Sequence, residues 1–466
     1  MPGDTTEKKV VATNTGEVDQ AVRISVSELW KTNNNGTLNG WIHTDGTKST
    51  HTTESELAND VRVALIKYVN TGDWVYDNGY YYYKYNLKPG KDTGKFIDSV
   101  TFNALTKLDD TCETTIENGK KTITCNLSGS DYDHTTYTLT LNIETVQYNK
   151  YMSAWGTSVE IDPEGPQPVA QYLINKTSNP VNTAYNSETK GNLFALEHNG
   201  ITDYRYIGNA PKNYVKFNCD DNGSNCETWR ILGVFNVERK DPDDDTKTIT
   251  ESRLKIVRGY AIPPSKLWND NGTSAWTSST LKNFLNGEYY NRTGNASTYG
   301  LKQSARDMIG EAKYYLGGNN SLNATPENLY TWERENNGYG SYATEWFGNV
   351  GMMYPSDQYF TYANGVDSTC YNNASECNNS VIASKSWIYN SNKKENSGVS
   401  STWFITPYTS NGNSAYGMYL DGRLSGQEVQ WTNNLVRPVV YLKSNIKIIS
   451  GTGESGNPYV LGIFSE

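Results

Sequence analysis

The 466-residue chain carries 41 Lys and Arg against 51 Asp and Glu, for a net charge of −10, and only 20% of its residues are charged. That acidic balance argues against nucleic acid as a partner, because the phosphates would be repelled. No apolar run reaches the roughly 18 residues needed to cross a bilayer, so no membrane insertion is expected. The length calls for two or more domains with separate cores, and 40 Gly with 35 Tyr point to a strand-rich, loop-rich chain.

Residues 1–158 read as strands and hairpins. "VVATNTGEVDQAVRISVSELW" holds a turn at Gly16, then Val22, Ile24 and Val26 alternating with Arg23, Ser25 and Ser27. Residues 32–56 form a polar excursion expected as a surface loop, and "DVRVALIKYV" a denser strand. In "DWVYDNGYYYYKYNLKPG", Asn78-Gly79 predicts a type I′ hairpin pairing Asp77 with Tyr80, Tyr76 with Tyr81, Val75 with Tyr82 and Trp74 with Tyr83. One face then collects Trp74, Tyr76, Tyr81, Tyr83, Tyr85 and Leu87, as a sheet buried on one side requires. "TYTLTLNIETVQY" puts Tyr137, Leu139, Leu141 and Ile143 on one face. With no amphipathic helix of useful length, a β-sandwich is expected.

"VEIDPEGPQPVAQ", residues 159–171, has three prolines and a glycine and is expected to be a linker. Residues 172–466 change grammar. Strands "NYVKFNC", "TWRILGVFNV" and "RLKIVRGY" precede three expected helices. "SSTLKNFLNG" has a serine cap and stops at Gly287. "LKQSARDMIGEAKYYLGG" repeats Leu301, Ala305, Met308, Ile309, Ala312, Tyr315 and Leu316 at helical spacing. "TPENLYTWERE" opens with Thr325 as cap and Pro326 at the first helical position. Strands then return to the end of the chain. The pattern predicts an α+β domain whose terminal strands meet in one sheet.

The six cysteines fall into three local pairs: Cys112 with Cys125, Cys219 with Cys226, and Cys370 with Cys377. A turn at Asn118-Gly119 sets Cys112 opposite Cys125 at a non-hydrogen-bonded position, within disulfide range. Asn222-Gly223 likewise centres Cys219 and Cys226. The gaps are too long for a zinc site, so three disulfides and an extracellular setting are expected. Met1 is followed at once by "PGDTTEKK", which is no signal peptide, and the export leader is therefore expected to have been removed.

Residues 1–158 resemble the secreted camelysin and TasA-like matrix proteins of Gram-positive bacteria in "PGD" (Pro2 to Asp4), "NTGEVDQAVRISV", "GYYYYKYNLKPG", "DSVTFN" and "ETVQYNKYMSAW". The resemblance implies a jelly-roll-like sandwich, export and assembly through an amino-terminal strand. Residues 172–466 resemble the carboxy-terminal module of surface proteins of gut Firmicutes in "YRYIG", "NYVKFN", "WRILGVF", "LKIVR", "GMMYPSD", "TWFITP" and "VRPVVYLKS". That module is similar to C-type-lectin-like domains, and the resemblance implies a non-enzymatic fold that presents variable loops for binding.

No catalytic signature emerges. The histidines, His43, His51, His134 and His198, lie in no HExxH motif, and paired cysteines offer no thiol nucleophile. "DPDDDTK" places Asp241, Asp243 and Asp245 at calcium-loop spacing but lacks the glycine and glutamate such a loop needs, so an exposed hairpin tip is expected there. No cofactor is expected, with calcium as the alternative. The Cys370–Cys377 loop and its surroundings are the expected contact surface, with Trp268, Asp270, Tyr371 and Trp387 as the candidate ligand residues. The expected partner is a host or bacterial surface glycan or protein, or further copies of the chain. The expected function is non-enzymatic adhesion by a secreted cell-surface protein. The alternatives are a fibre or matrix subunit and, behind it, a glycan-degrading enzyme using two carboxylates.

Overall fold

The computed structural model describes residues 4–31, 37–38, 64–69, 71–102, 110–117, 120–127, 136–176, 193–198, 200–221, 223–322, 324–335, 337–362, 386–388, 401–419 and 424–464. They are mostly strand, with few and short helices. The chain divides into two compact units, Met1–Pro166 and Gln167–Glu466.

In the first unit, strands Thr5–Val10, Ile97–Phe102 and Ala64–Tyr68 form one antiparallel sheet with Ile97–Phe102 in the middle. A second sheet runs Thr136–Gln147, Gln20–Lys31, Tyr80–Tyr83, Trp74–Asp77. Both contribute to one core: Val22, Ile24, Trp74 and Tyr83 from the second meet Ile97 from the first, with Phe96 and Leu87 between. The expected hairpin forms in the expected register, from Trp74 opposite Tyr83 to Asp77 opposite Tyr80, with Asn78 and Gly79 at φ 46° and 85°. Trp74, Tyr83 and Leu87 are buried, whereas Tyr76, at the hairpin's end, is 63% exposed. The opposite face is also covered. Tyr82 is buried there, its ring 5.9 Å from that of Trp155, and the Arg23 guanidinium lies 3.9 Å from the ring of Tyr80. The turn at Gly16 is held by Asn14, whose Oδ1 accepts from Gly16 N and whose Nδ2 donates to the Val18 carbonyl.

Residues 159–171 are not a free linker. Asn86 N donates to the Asp162 carbonyl, and Ile161 packs with Ala21 and Tyr151, so the first half belongs to the first unit. Helix Val169–Asn175 buries Val169, Ala170 and Leu173 in the core of the second. The prolines set the path of an extended segment, whose apolar residues still find partners.

The second unit is built on one large sheet, in the order Gly351–Met352, Pro438–Tyr441, Thr248–Arg258, Glu227–Lys240, Tyr214–Phe217, Tyr459–Ile463, Ile446–Ser450. Strand Ile201–Tyr206 pairs with the far half of Glu227–Lys240 and with Leu193–His198. Tyr459–Ile463 adds parallel to Tyr214–Phe217, so the unit's terminal strands do share a sheet. A four-stranded sheet, Leu424–Glu428, Ser414–Tyr419, Ser401–Tyr408, Asn434–Leu435, carries the late loops.

Two of the three expected helices differ. Ser279 does cap the first, accepting from Lys282 N. The helix then passes through Gly287 as a π-turn over Leu285–Tyr289 and ends where Arg292 turns left-handed at φ 56°. The second is short: Gln303–Met308 is helical, but Ile309 leaves at ψ 134° and Gly310 N donates to the Tyr441 carbonyl. Ala312–Tyr315 becomes a strand against Glu345–Gly348, burying Ala312 and Tyr314 at period two. The third, Pro326–Arg334, starts at a capping box made by Thr325 and Asn328.

Candidate functional site

Cys219 and Cys226 form a disulfide with their Cα atoms 3.9 Å apart. It does not close a two-residue turn. The flanking ladder pairs Tyr214 with Arg230 and Phe217 with Glu227, which would set Asn218, not Cys219, opposite Cys226. The bond therefore closes a loop beyond the strand ends, where Asn218 and Asn225 adopt positive φ. Cys112 stands opposite Cys125 in the backbone register of Asp110–Glu117 with Lys120–Leu127. The Cys370–Cys377 loop, Tyr371, His43, His51 and His134 lie outside the described residues.

Two of the expected surface residues are interior. Trp268 is fully buried, its indole N–H donating to the Phe404 carbonyl at 3.1 Å, and its ring meets that of Trp276 edge-on. Trp387 donates to the Tyr206 carbonyl at 2.9 Å and lies 4.6 Å from the Arg230 guanidinium, which also lies over the ring of Tyr214 and donates to Asn213 Oδ1. Both tie loops to the core, and neither presents a ring to a ligand. Asp270 is exposed, and its carbonyl accepts from Gln430 Nε2. Among the described residues no three His, Cys, Asp or Glu side chains converge as metal ligands. At the "DPDDDTK" tip, the Asp241 and Asp244 carboxylates accept from backbone N–H groups of their own turn.

The Asp270 loop belongs to a surface that spacing alone did not reveal. The Trp268 and Asn269 N–H groups both donate to the Val429 carbonyl, and Lys266 N to the Asn434 carbonyl, so the 266–273 and 428–434 loops are zipped together. Where they meet the helix Thr280–Phe284 lies a shallow depression of about 290 Å³, lined by Ser265, Lys266, Leu267, Thr280, Leu281, Phe284 and Thr432. The Lys266 ammonium sits 4.0 Å from the centre of the Phe284 ring, and partial burial lowers its pKa from the usual lysine value, Glu288 opposing. Trp431, next to Thr432 in the chain, is 44% exposed. The site thus offers an aromatic ring, an apolar floor and one cation on pinned backbone.

A second cluster is closed from solvent. Arg205 bonds Asp203 at 3.0 Å and Asp357 at 3.1 Å, and Asp357 also accepts from the Lys255 ammonium and from Tyr354 N. Glu333 accepts from Ser356 N and its hydroxyl, with Arg334 3.4 Å away. Burial pushes the Glu333 carboxyl up to about 7 and the Lys255 ammonium down to about 8. Burial alone would raise Asp357, yet Lys255 and Arg205 hold it below its usual value. His198 is packed between the rings of Tyr330 and Phe360, and burial lowers its pKa to about 4. This cluster braces the sheet. No family model, curated protein or solved structure matches the chain.

Proposed function

We propose that the chain is a secreted bacterial surface protein that binds a glycan or protein ligand, without catalysis, through the loops of its second unit. In this reading the first unit is a camelysin- and TasA-like jelly-roll and the second a C-type-lectin-like head. The observation that carries it is Trp431, exposed and next in the chain to Thr432, which lines the Lys266–Phe284 depression, on loops held by backbone hydrogen bonds. A rigid aromatic with a few polar neighbours is what sugar or side-chain recognition uses. The Cys219–Cys226 disulfide is compatible with life outside the cell. A glycan array and a surface-protein pull-down with the whole chain test the reading, with and without calcium. Binding that free ligand displaces supports it, and silence in both formats under every condition counts against it.

A second reading, a fibre or matrix subunit, is favoured by strand Thr136–Gln147. It pairs with Gln20–Lys31 over twelve consecutive positions with no bulge, and it contains neither Lys nor Pro. Long unblunted edges of this kind template association. Electron microscopy of the chain separates the two, since only the second reading expects filaments.

A further inference from the structure

Lys255 and Asp357 come from strand Thr248–Arg258 and the short helix Pro355–Tyr359, 102 positions apart, and their side chains are each 1% exposed. The Lys255 ammonium lies against Asp357 Oδ2, among the rings of Tyr354 at 4.1 Å, Tyr441 at 5.4 Å and Phe235 at 5.5 Å. An amine and a carboxyl held together in a buried, aromatic enclosure are the reactants of an amide, already brought into contact by the fold. We propose that Lys255 Nζ and Asp357 Cγ become joined by an intramolecular amide, an internal cross-link formed by the folded chain itself.

The step balances without any further reagent. A proton passes from the Lys255 ammonium to Asp357 Oδ2, leaving a neutral amine and a neutral acid. Nζ then attacks Cγ, and the negative charge of the tetrahedral centre falls on Oδ1, where Arg205 Nη1 already donates at 3.1 Å. A second proton moves from Nζ to Oδ2, the Cγ–Oδ2 bond breaks, and one water leaves. The depressed pKa of Lys255 assists by making the amine accessible near neutrality. The product strands no charge, because Arg205 keeps Asp203 and Arg334 keeps Glu333. It would fasten a central strand of the large sheet to the helix Pro355–Tyr359, whose Ser356 donates to Glu333.

The test is the intact mass of the whole chain, denatured and reduced, followed by tryptic mapping. The expected result is a mass one water below that of the sequence. Mapping should give a branched peptide in which Leu254–Arg258, uncut at Lys255, hangs from the 335–385 segment. The Lys255→Ala and Asp357→Ala variants should each return to the full sequence mass. Because the wild-type protein is read directly, a variant that fails to fold does not blunt the test. Full mass for wild type, with ordinary cleavage after Lys255, overturns the proposal and leaves a buried ion pair.

Discussion

Glu333 shows how a single buried side chain writes itself into stability. Its carboxyl rises from 4.5 to about 7, chiefly by burial, with the hydrogen bonds from Ser356 and the charge of Arg334 opposing and Asp357 adding to the rise. Across that window the unfolded chain releases the proton while the folded chain keeps it, so the contribution present at low pH is lost as pH rises. The loss comes to about 3 kcal/mol by the time pH passes the folded value. Glu333→Gln cannot titrate, so the stability difference between variant and wild type, from urea unfolding at pH values spanning the window, should shift in the variant's favour by that amount. A difference that stays flat with pH refutes the assignment. Gly79 makes a simpler case. At φ 85° with nothing near a would-be Cβ, Gly79→Ala meets only the left-handed backbone penalty, and the chain should lose roughly 1 kcal/mol in the same unfolding measurement.

At the scale of elements, the features legible in the sequence were those set by neighbours along the chain. Asn78-Gly79 dictated a turn, and the turn dictated every pair of its hairpin. Thr325-Pro326 announced a helix start, and the helix does start there, with Asn328 completing a capping box that the structure adds. Thr325→Ala should therefore destabilise the second unit by about 1 kcal/mol, read as a lowered thermal midpoint. The 301–316 segment misled because Met308, Ala312, Tyr315 and Leu316 fit a helical period while Ala312 and Tyr314 also fit a strand. The choice was made by Tyr441 and Glu345–Gly348, far away in sequence. The Cys219–Cys226 pairing was legible, yet its geometry was not, because the Asn222-Gly223 signal was overruled by a ladder offset by one residue. Replacing Cys219 and Cys226 with serine should cost roughly 2–3 kcal/mol through the freed unfolded chain, visible as a drop in midpoint under non-reducing conditions.

For the whole molecule, composition indicated strands and loops, but the parts that bear on function were assembled from distant segments. The ionic cluster draws on residues between Asp203 and Asp357, and Lys255 sits in "RLKIVR", where a two-residue period would turn it outward. It is buried because the sheet is covered on both faces, with Leu254, Ile256 and Val257 buried alongside it. The ligand surface was misplaced for a related reason: tryptophans draw attention as ligand platforms, while the fold spends Trp268 and Trp387 on fastening loops and leaves Trp431 outside. That division yields the last prediction. Trp431→Ala removes an exposed ring that contributes little to the core, so thermal stability should stay within about 0.5 kcal/mol of wild type. Capture on the array or pull-down should fall at least tenfold if the ring is the anchor of the site. Lys266→Ala should weaken the same capture less, because its ammonium already engages Phe284. Equal binding by wild type and Trp431→Ala would remove this surface as the binding site, whatever ligand the array had identified.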